Sequence, residues 1–160
     1  MTYYDDISEG YEELYKEEQL KKIEILKKYL KPSKTDRLLD VGCGTGVTTI
    51  PWNCTRYGID PAKKLIERAH QKEKVDYKIA AAESIPYPDG FFDIVISVTA
   101  IQNFADIEKG LDEIKRVGKD KFVLTFLKKS SSYKRIKKLI YNKFQIKKEI
   151  EETFDLILIS

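Results

Sequence analysis

The chain has 160 residues, of which 42% are hydrophobic and 34% charged, with 29 Lys and Arg against 26 Asp and Glu. That is enough for one domain with a real core and too little for two; no apolar run approaches the roughly 20 residues of a membrane span, and the acidic N-terminus lacks the basic-then-apolar pattern of a secretory leader. Two cysteines and one histidine exclude a disulfide framework and a zinc site built from those residues, so no metal is expected and the cytoplasm is the expected location.

Helix-period and strand-like segments alternate along the chain, the pattern of an α/β parallel sheet. Tyr11, Leu14, Tyr15, Ile23, Leu26, Tyr29 and Leu30 predict an amphipathic helix from Ser8 to Lys31, stopped by Pro32. Arg37–Val41 is a short buried strand that runs straight into Gly42, Gly44 and Gly46. Trp52 reads as the packing anchor of a short, interrupted helix. Thr55–Ile59 is a second strand ending in Asp60, and Pro61 opens a helix with Leu65, Ile66 and Ala69 inward. Val75–Ala80 is a third strand. Asp93–Val98 is the fourth, apolar enough to be covered on both faces. Ile107, Leu111 and Ile114 mark a helix that Gly118 stops.

Lys121–Leu127 is the fifth strand, and Ser130–Ser132 cap a helix with Tyr133, Ile136, Leu139 and Ile140 inward. Phe144, Ile146 and Ile150, followed by Phe154–Ile159, predict a closing antiparallel hairpin over 144–160 that turns at 151–153. The expectation is a single α/β domain over 1–160. Its sheet is Rossmann-like, seven-stranded and mixed: five parallel strands plus a C-terminal antiparallel hairpin, with helices on both faces.

The informative stretch is Leu38-Leu-Asp-Val-Gly-Cys-Gly-Thr-Gly46. Three glycines after a strand let the backbone turn sharply and approach a ligand. Asp40, at the strand end, can accept from a cationic amino group. Asp60, twenty residues on, sits where an acidic side chain takes both hydroxyls of a ribose. A dinucleotide site wants G-x-G-x-x-G, with pyrophosphate on the helix N-terminus. Here the third glycine comes one residue early, position 47 is Val, and Asp40 is negative; an ammonium-bearing ligand is favoured.

Together with Gly58-Ile-Asp60-Pro-Ala, Ala82-Glu-Ser-Ile-Pro-Tyr-Pro-Asp-Gly-Phe-Phe-Asp93, Glu113-Ile-Lys-Arg-Val117 and the opening Tyr4-Asp-Asp-Ile-Ser-Glu-Gly-Tyr11, this stretch resembles the ordered motifs of class I S-adenosylmethionine-dependent methyltransferases. Within them it is similar to the branch of ubiquinone and menaquinone methyltransferases. The resemblance implies S-adenosylmethionine as cofactor and S-adenosylhomocysteine as product. It places the backbone of Gly42 and Gly44 along the methionine half, with Cys43 and Gly46 in the same cofactor-binding loop, Asp40 near the amino group, Asp60 on the ribose and Pro61 on the adenine. Ala82 and Glu83 would meet the adenine edge, Ser97 would line the methyl-donor site, and Tyr4 and Tyr11 would help the segment 1–31 close over the cofactor.

Two departures stand out. Ala81 replaces the usual Asp before the Ala-Glu pair, and Ile101-Gln102-Asn103-Phe104 replaces a frequent Leu-His-His. The absence of Asn/Asp-Pro-Pro-Tyr/Phe after the fourth strand argues against amino methylation of adenine or glutamine. No catalytic residue is assigned.

Other residues read as structural: Cys43 as packing, His70 as a solvated side chain. Gln102 and Asn103 either contact substrate or cap the next helix. Between Lys121 and Lys148 there are ten basic residues and no acidic one. The plain reading is a solvated helix face and an edge strand that lysine protects. An RNA partner would use Lys128, Lys129, Lys134, Arg135, Lys137 and Lys138, with Tyr133, Tyr141 and Phe144 interleaved. The short path from Leu127 to Phe144 leaves no inserted lid, so an open cleft, a bulky acceptor or a partner subunit that completes the site is expected. A small-molecule acceptor ranks ahead of RNA or protein. A nicotinamide oxidoreductase and a non-catalytic cofactor-binding subunit are the readings from other classes.

Overall fold

A computed structural model describes residues 9–70 and 73–160. The strands are β1 Arg37–Val41, β2 Thr55–Asp60, β3 Asp76–Ile79, β4 Phe92–Val98, β5 Gly118–Leu127, β6 Lys148–Glu151 and β7 Asp155–Ile159. They form one sheet in the order β3-β2-β1-β4-β5-β7-β6. β1 to β5 pair in parallel, and β7 runs antiparallel to both β5 and β6. The chain winds outward from β1 to β3 and then returns to β4. The carboxyl ends of β1 and β4 therefore flank the point at which an open α/β sheet binds ligands.

The central strands are buried on both faces over most of their length, which is why they read as largely apolar runs. On one face Leu38, Ile94, Ile96, Val98, Val123 and Ile157 pack against Trp52 and against Ile23 and Leu26 of helix α1 (Glu9–Leu26). Toward the β3 edge of that face, Cys43 and Tyr77 meet Ile66 and Ala69 of helix α2 (Lys63–Ala69). Neighbouring residues along each strand point the other way. Leu39, Val95, Leu124 and Leu158 thus pack under Leu111 and Ile114 of α3 (Ile107–Val117) and Ile136 and Ile140 of α4 (Tyr133–Lys143).

The differences from the sequence reading are local. α1 ends at Leu26, six residues before Pro32, because the chain tightens into i→i−3 bonds from Lys28 to Ile25 and from Tyr29 to Leu26. Its inward stripe is also shorter than the spacing suggests. Leu14 and Tyr29 are exposed, whereas Gln19 and Lys22 are buried beside Ile23 and Leu26. The interrupted helix after the glycine loop is reduced to one turn, with Thr49 and Ile50 donating to the Gly46 carbonyl. Gly118 ends α3 in extended conformation, not a left-handed one, and is already the first residue of β5; a Cβ there would sit 2.5 Å from the Phe122 ring. Ser132 is the N-cap of α4 without a side-chain bond, and the Ser130 hydroxyl takes the Ser132 N–H instead. The last hairpin turns at residues 152–154, and Phe144 packs on Phe122 in place of starting a strand.

Candidate active site

The glycine loop hangs from the end of β2. Gly42 and Cys43 both donate to the Ile59 carbonyl, at 2.8 and 3.0 Å, and Gly44 donates to Asp60 Oδ2 at 3.0 Å. Gly42, Gly44 and Gly46 all have positive φ, the region that side chains other than glycine avoid. Space matters at two of them. A Cβ at 42 would lie 2.5 Å from the Ala100 Cβ, and one at 46 would lie 2.1 Å from the Tyr77 hydroxyl.

Asp40 lies beneath this loop and is wholly buried. Its Oδ2 accepts from the hydroxyls of Thr48 and Thr49 at 2.6 and 2.7 Å, while its Oδ1 has no partner among the described residues. Burial pushes the Asp40 carboxyl up to about 6; the two threonine hydroxyls oppose this, and the charge of Asp60 adds to it. Burying a carboxylate oxygen without a partner is costly unless a donor arrives. The ammonium and hydroxyls of S-adenosylmethionine are such donors, so the residues present fit that cofactor.

Asp60 is 7% exposed, and Ala62 donates its N–H to Oδ1 at 2.8 Å. Both oxygens therefore lock the loop and the start of α2 in place. Pro61 is exposed beside it, and Ala82 is buried. Glu83 accepts the Asp106 N–H at 2.8 Å and so braces the N-terminus of α3. The Ser97 hydroxyl is fully buried and donates to the Val41 carbonyl at 2.8 Å, tying β4 to β1. Cys43 is 4% exposed, and burial holds its thiol well above its ordinary value, as a packing residue requires. Tyr4 lies outside the described residues; Tyr11 lies within α1. His70 is exposed, with its Nε2 3.3 Å from the Tyr77 carbonyl.

Sequence reasoning missed three features. Thr48 and Thr49 hold Asp40; their place right after the glycines was the available signal. Arg116 staples the segment beside Ala82, donating to the carbonyls of Ile85 and Tyr87 and to Asp89, while Glu113 takes the Ile85 N–H. The third is a buried polar network beyond β4. Gln102 also proves to be a brace, donating to the Thr99 carbonyl and accepting from Leu127 N–H. On α4 and at the end of β5, Lys129, Lys134, Arg135 and Lys138 are exposed and Lys128 is partly so. Lys137 pairs with Glu149 of β6, and Lys143 with Glu108 and Asp112 of α3. Among the described residues, the acids facing the basic run thus come from neighbouring elements, not from α1.

A mixed sheet with five parallel strands, a buried acid under a glycine loop after β1 and a second acid at the end of β2 give the class I methyltransferase fold. Comparison with known proteins places it further: residues 39–126 match the methyltransferase domain family, and the chain belongs to it. It is 34% identical over 90 residues to the uncharacterized methyltransferase YcgJ of Bacillus subtilis, covering 51% of this chain and 36% of that protein. It is 29% identical over 103 residues to the ubiquinone/menaquinone biosynthesis C-methyltransferase UbiE of Geotalea uraniireducens, covering 56% and 44%. The chain spans about half the length, or less, of the curated relatives it matches.

The crystal structure of YcgJ superposes with a TM-score of 0.70 at 24% identity, over 81% of this chain and 70% of that one. The structure of a complex between the Haloferax volcanii Trm112 methyltransferase activator and its partner protein reaches 0.79 at 14% identity, over 94% and 93%. Likenesses at such low identity concern the fold.

Proposed function

We propose that this chain transfers a methyl group from S-adenosylmethionine to an acceptor that reaches the carboxyl ends of β4 and β5. The observation that carries the reading is the unpartnered Oδ1 of buried Asp40, beneath a loop whose glycines leave bare backbone. In this reading Asp40 takes the cofactor's ammonium, and Gly42, Cys43, Gly44 and Gly46 border the methionine half. Asp60 takes the ribose hydroxyls, Pro61 and Ala82 border the adenine, and Glu83 fixes the wall behind it. Ser97 holds β4 against β1 beside the methyl-donor position. Tyr4 and Tyr11 belong to the segment that closes over the cofactor. When bound, S-adenosylmethionine supplies a sulfonium methyl that is already electrophilic. The chain's own work is to bind, to align the acceptor and to exclude water.

A small-molecule acceptor is the first reading, supported by the likeness to quinone methyltransferases. An RNA acceptor is the second, supported by the exposed Lys129, Lys134, Arg135 and Lys138, which have no acidic partner among the described residues. The Haloferax complex supports a partner subunit as the element that completes the site.

Heat denaturation tests the cofactor. S-adenosylhomocysteine at a hundredfold excess over its dissociation constant is expected to stabilise the fold by about 2.7 kcal/mol, a rise of several degrees in Tm, and NAD to leave it unchanged. A shift with NAD and none with S-adenosylhomocysteine would reverse the assignment in favour of a nicotinamide enzyme.

A further inference from the structure

The segment that leaves β4 is held by charge. Lys22, one turn before the end of α1, is 2% exposed. Its ammonium donates to Gln19 Oε1 at 2.9 Å and to Thr99 Oγ1 at 2.7 Å, and lies 3.1 Å from Asp155 Oδ1 at the start of β7. Asp155 is fully buried, and its Oδ2 accepts from the hydroxyls of Thr99 and Thr125 at 2.6 and 2.8 Å. Gln19 reaches the Val98 carbonyl at 3.4 Å. One buried ion pair thus joins the N-terminal helix, the ends of β4 and β5, and the beginning of β7.

The hub is Thr99. It alone among the described non-glycine residues has a positive φ, of 56°, a conformation costly for a β-branched side chain and kept only where the surroundings over-determine it. They do so here: its N–H bonds to Thr125, its hydroxyl to Asp155 and Lys22, and its carbonyl to Gln102. The next residue, Ala100, fills the notch of Gly42 so closely that a Cβ there would be 2.5 Å away. The backbone twist at Thr99 therefore sets the height of the glycine loop's neighbour. Replacing a buried ion pair by apolar residues of the same volume is often neutral or stabilising, so a buried pair is weak evidence for a role in stability alone.

We propose that Lys22 and Asp155 are positioning residues of the methyl-donor site: through Thr99 they fix the segment 99–103 against the glycine loop, so the site is complete only when α1 is docked. The proposal rests on the methyltransferase reading for its cofactor, but its mechanical part stands apart from it. Two variants separate positioning from simple support. Lys22→Met removes the ammonium, leaves Asp155 buried and unpaired, and is expected to lower Tm by roughly 10 °C. Thr99→Gly keeps the backbone conformation, which glycine adopts freely, and removes the tethering hydroxyl with the rest of the side chain; relief of the strained φ offsets part of the lost bonds, and its Tm is expected to fall by no more than a few degrees.

Each folded variant, titrated well below its own Tm, is expected to bind S-adenosylhomocysteine about tenfold more weakly, the size of coupling between groups that share one network. Both are expected to speed amide hydrogen exchange at residues 100–103. Folded Lys22→Met and Thr99→Gly proteins with unchanged affinity and unchanged exchange would overturn the proposal and leave the network a structural support. If the unmutated protein binds no S-adenosylhomocysteine, the methyltransferase reading fails, and exchange at 100–103 still decides whether Lys22 positions that segment.

Discussion

Asp40 carries an electrostatic cost that the ammonium of the proposed cofactor would offset. Its carboxyl is pushed up to about 6 from an ordinary 3.8, chiefly by burial. A folded-state value above the unfolded one means that the fold binds the proton more tightly. Asp40 therefore contributes stability below about pH 4 and loses it as pH rises through 6, leaving a cost of about 3 kcal/mol in the empty protein at neutral pH. In the proposed reading an ammonium on Oδ1 would favour the ionised form, and cofactor binding would expel the proton. Affinity for S-adenosylhomocysteine is expected to fall about tenfold per pH unit below 6 and to level off above 7. Asp40→Asn keeps an acceptor for Thr48 and Thr49 but carries no charge. It is expected to match or exceed the native Tm at pH 8, to bind about 10- to 100-fold more weakly, and to lose the pH dependence. Calorimetry between pH 5 and 8 checks both; a flat native profile would mean that no ammonium meets Asp40.

The elements divide into those whose pattern is written locally and those decided by tertiary contacts. β1 and β4 were legible because they are short, largely apolar runs next to glycines, and β2 because it is a short segment that Pro61 ends. The glycine loop was legible because its backbone demand is absolute. The polar side of α1 was not: Gln19 and Lys22 look like solvent residues, and only the ends of β4, β5 and β7, far along the chain, supply their partners. Nor did local pattern reveal that the helix after the glycines shrinks to a turn. Trp52 takes over the missing helix's packing, 2% exposed among Ile23, Leu26, Leu30 and Leu38, with its indole N–H on the Thr48 carbonyl at 2.9 Å. Trp52→Ala is expected to cost about 3–5 kcal/mol, read by urea denaturation, and to loosen α1 and Thr48 together. A loss under about 1 kcal/mol would show that another contact anchors this face.

Across the molecule, acid and base are sorted in sequence but partly matched in space. The basic run is offset by Glu108, Asp112 and Glu149 on adjoining elements, and Glu12 of α1 pairs with Arg68 of α2. Among the basic residues without an acidic partner in the described residues are Lys128 and Lys129 at the end of β5 and Lys134, Arg135 and Lys138 on α4, close to the carboxyl edge where an acceptor would enter. Charge in such a place steers an anionic partner and is screened by salt. The decisive measurement is transfer of labelled methyl from S-adenosylmethionine into a cell extract separated into small molecules, RNA and protein. Label is expected in the small-molecule fraction. Label in RNA that vanishes with rising salt would instead make the basic run the acceptor's binding face. A protein that binds S-adenosylhomocysteine yet labels no fraction, alone or with extract proteins present, would contradict the account and leave a cofactor-binding subunit in its place.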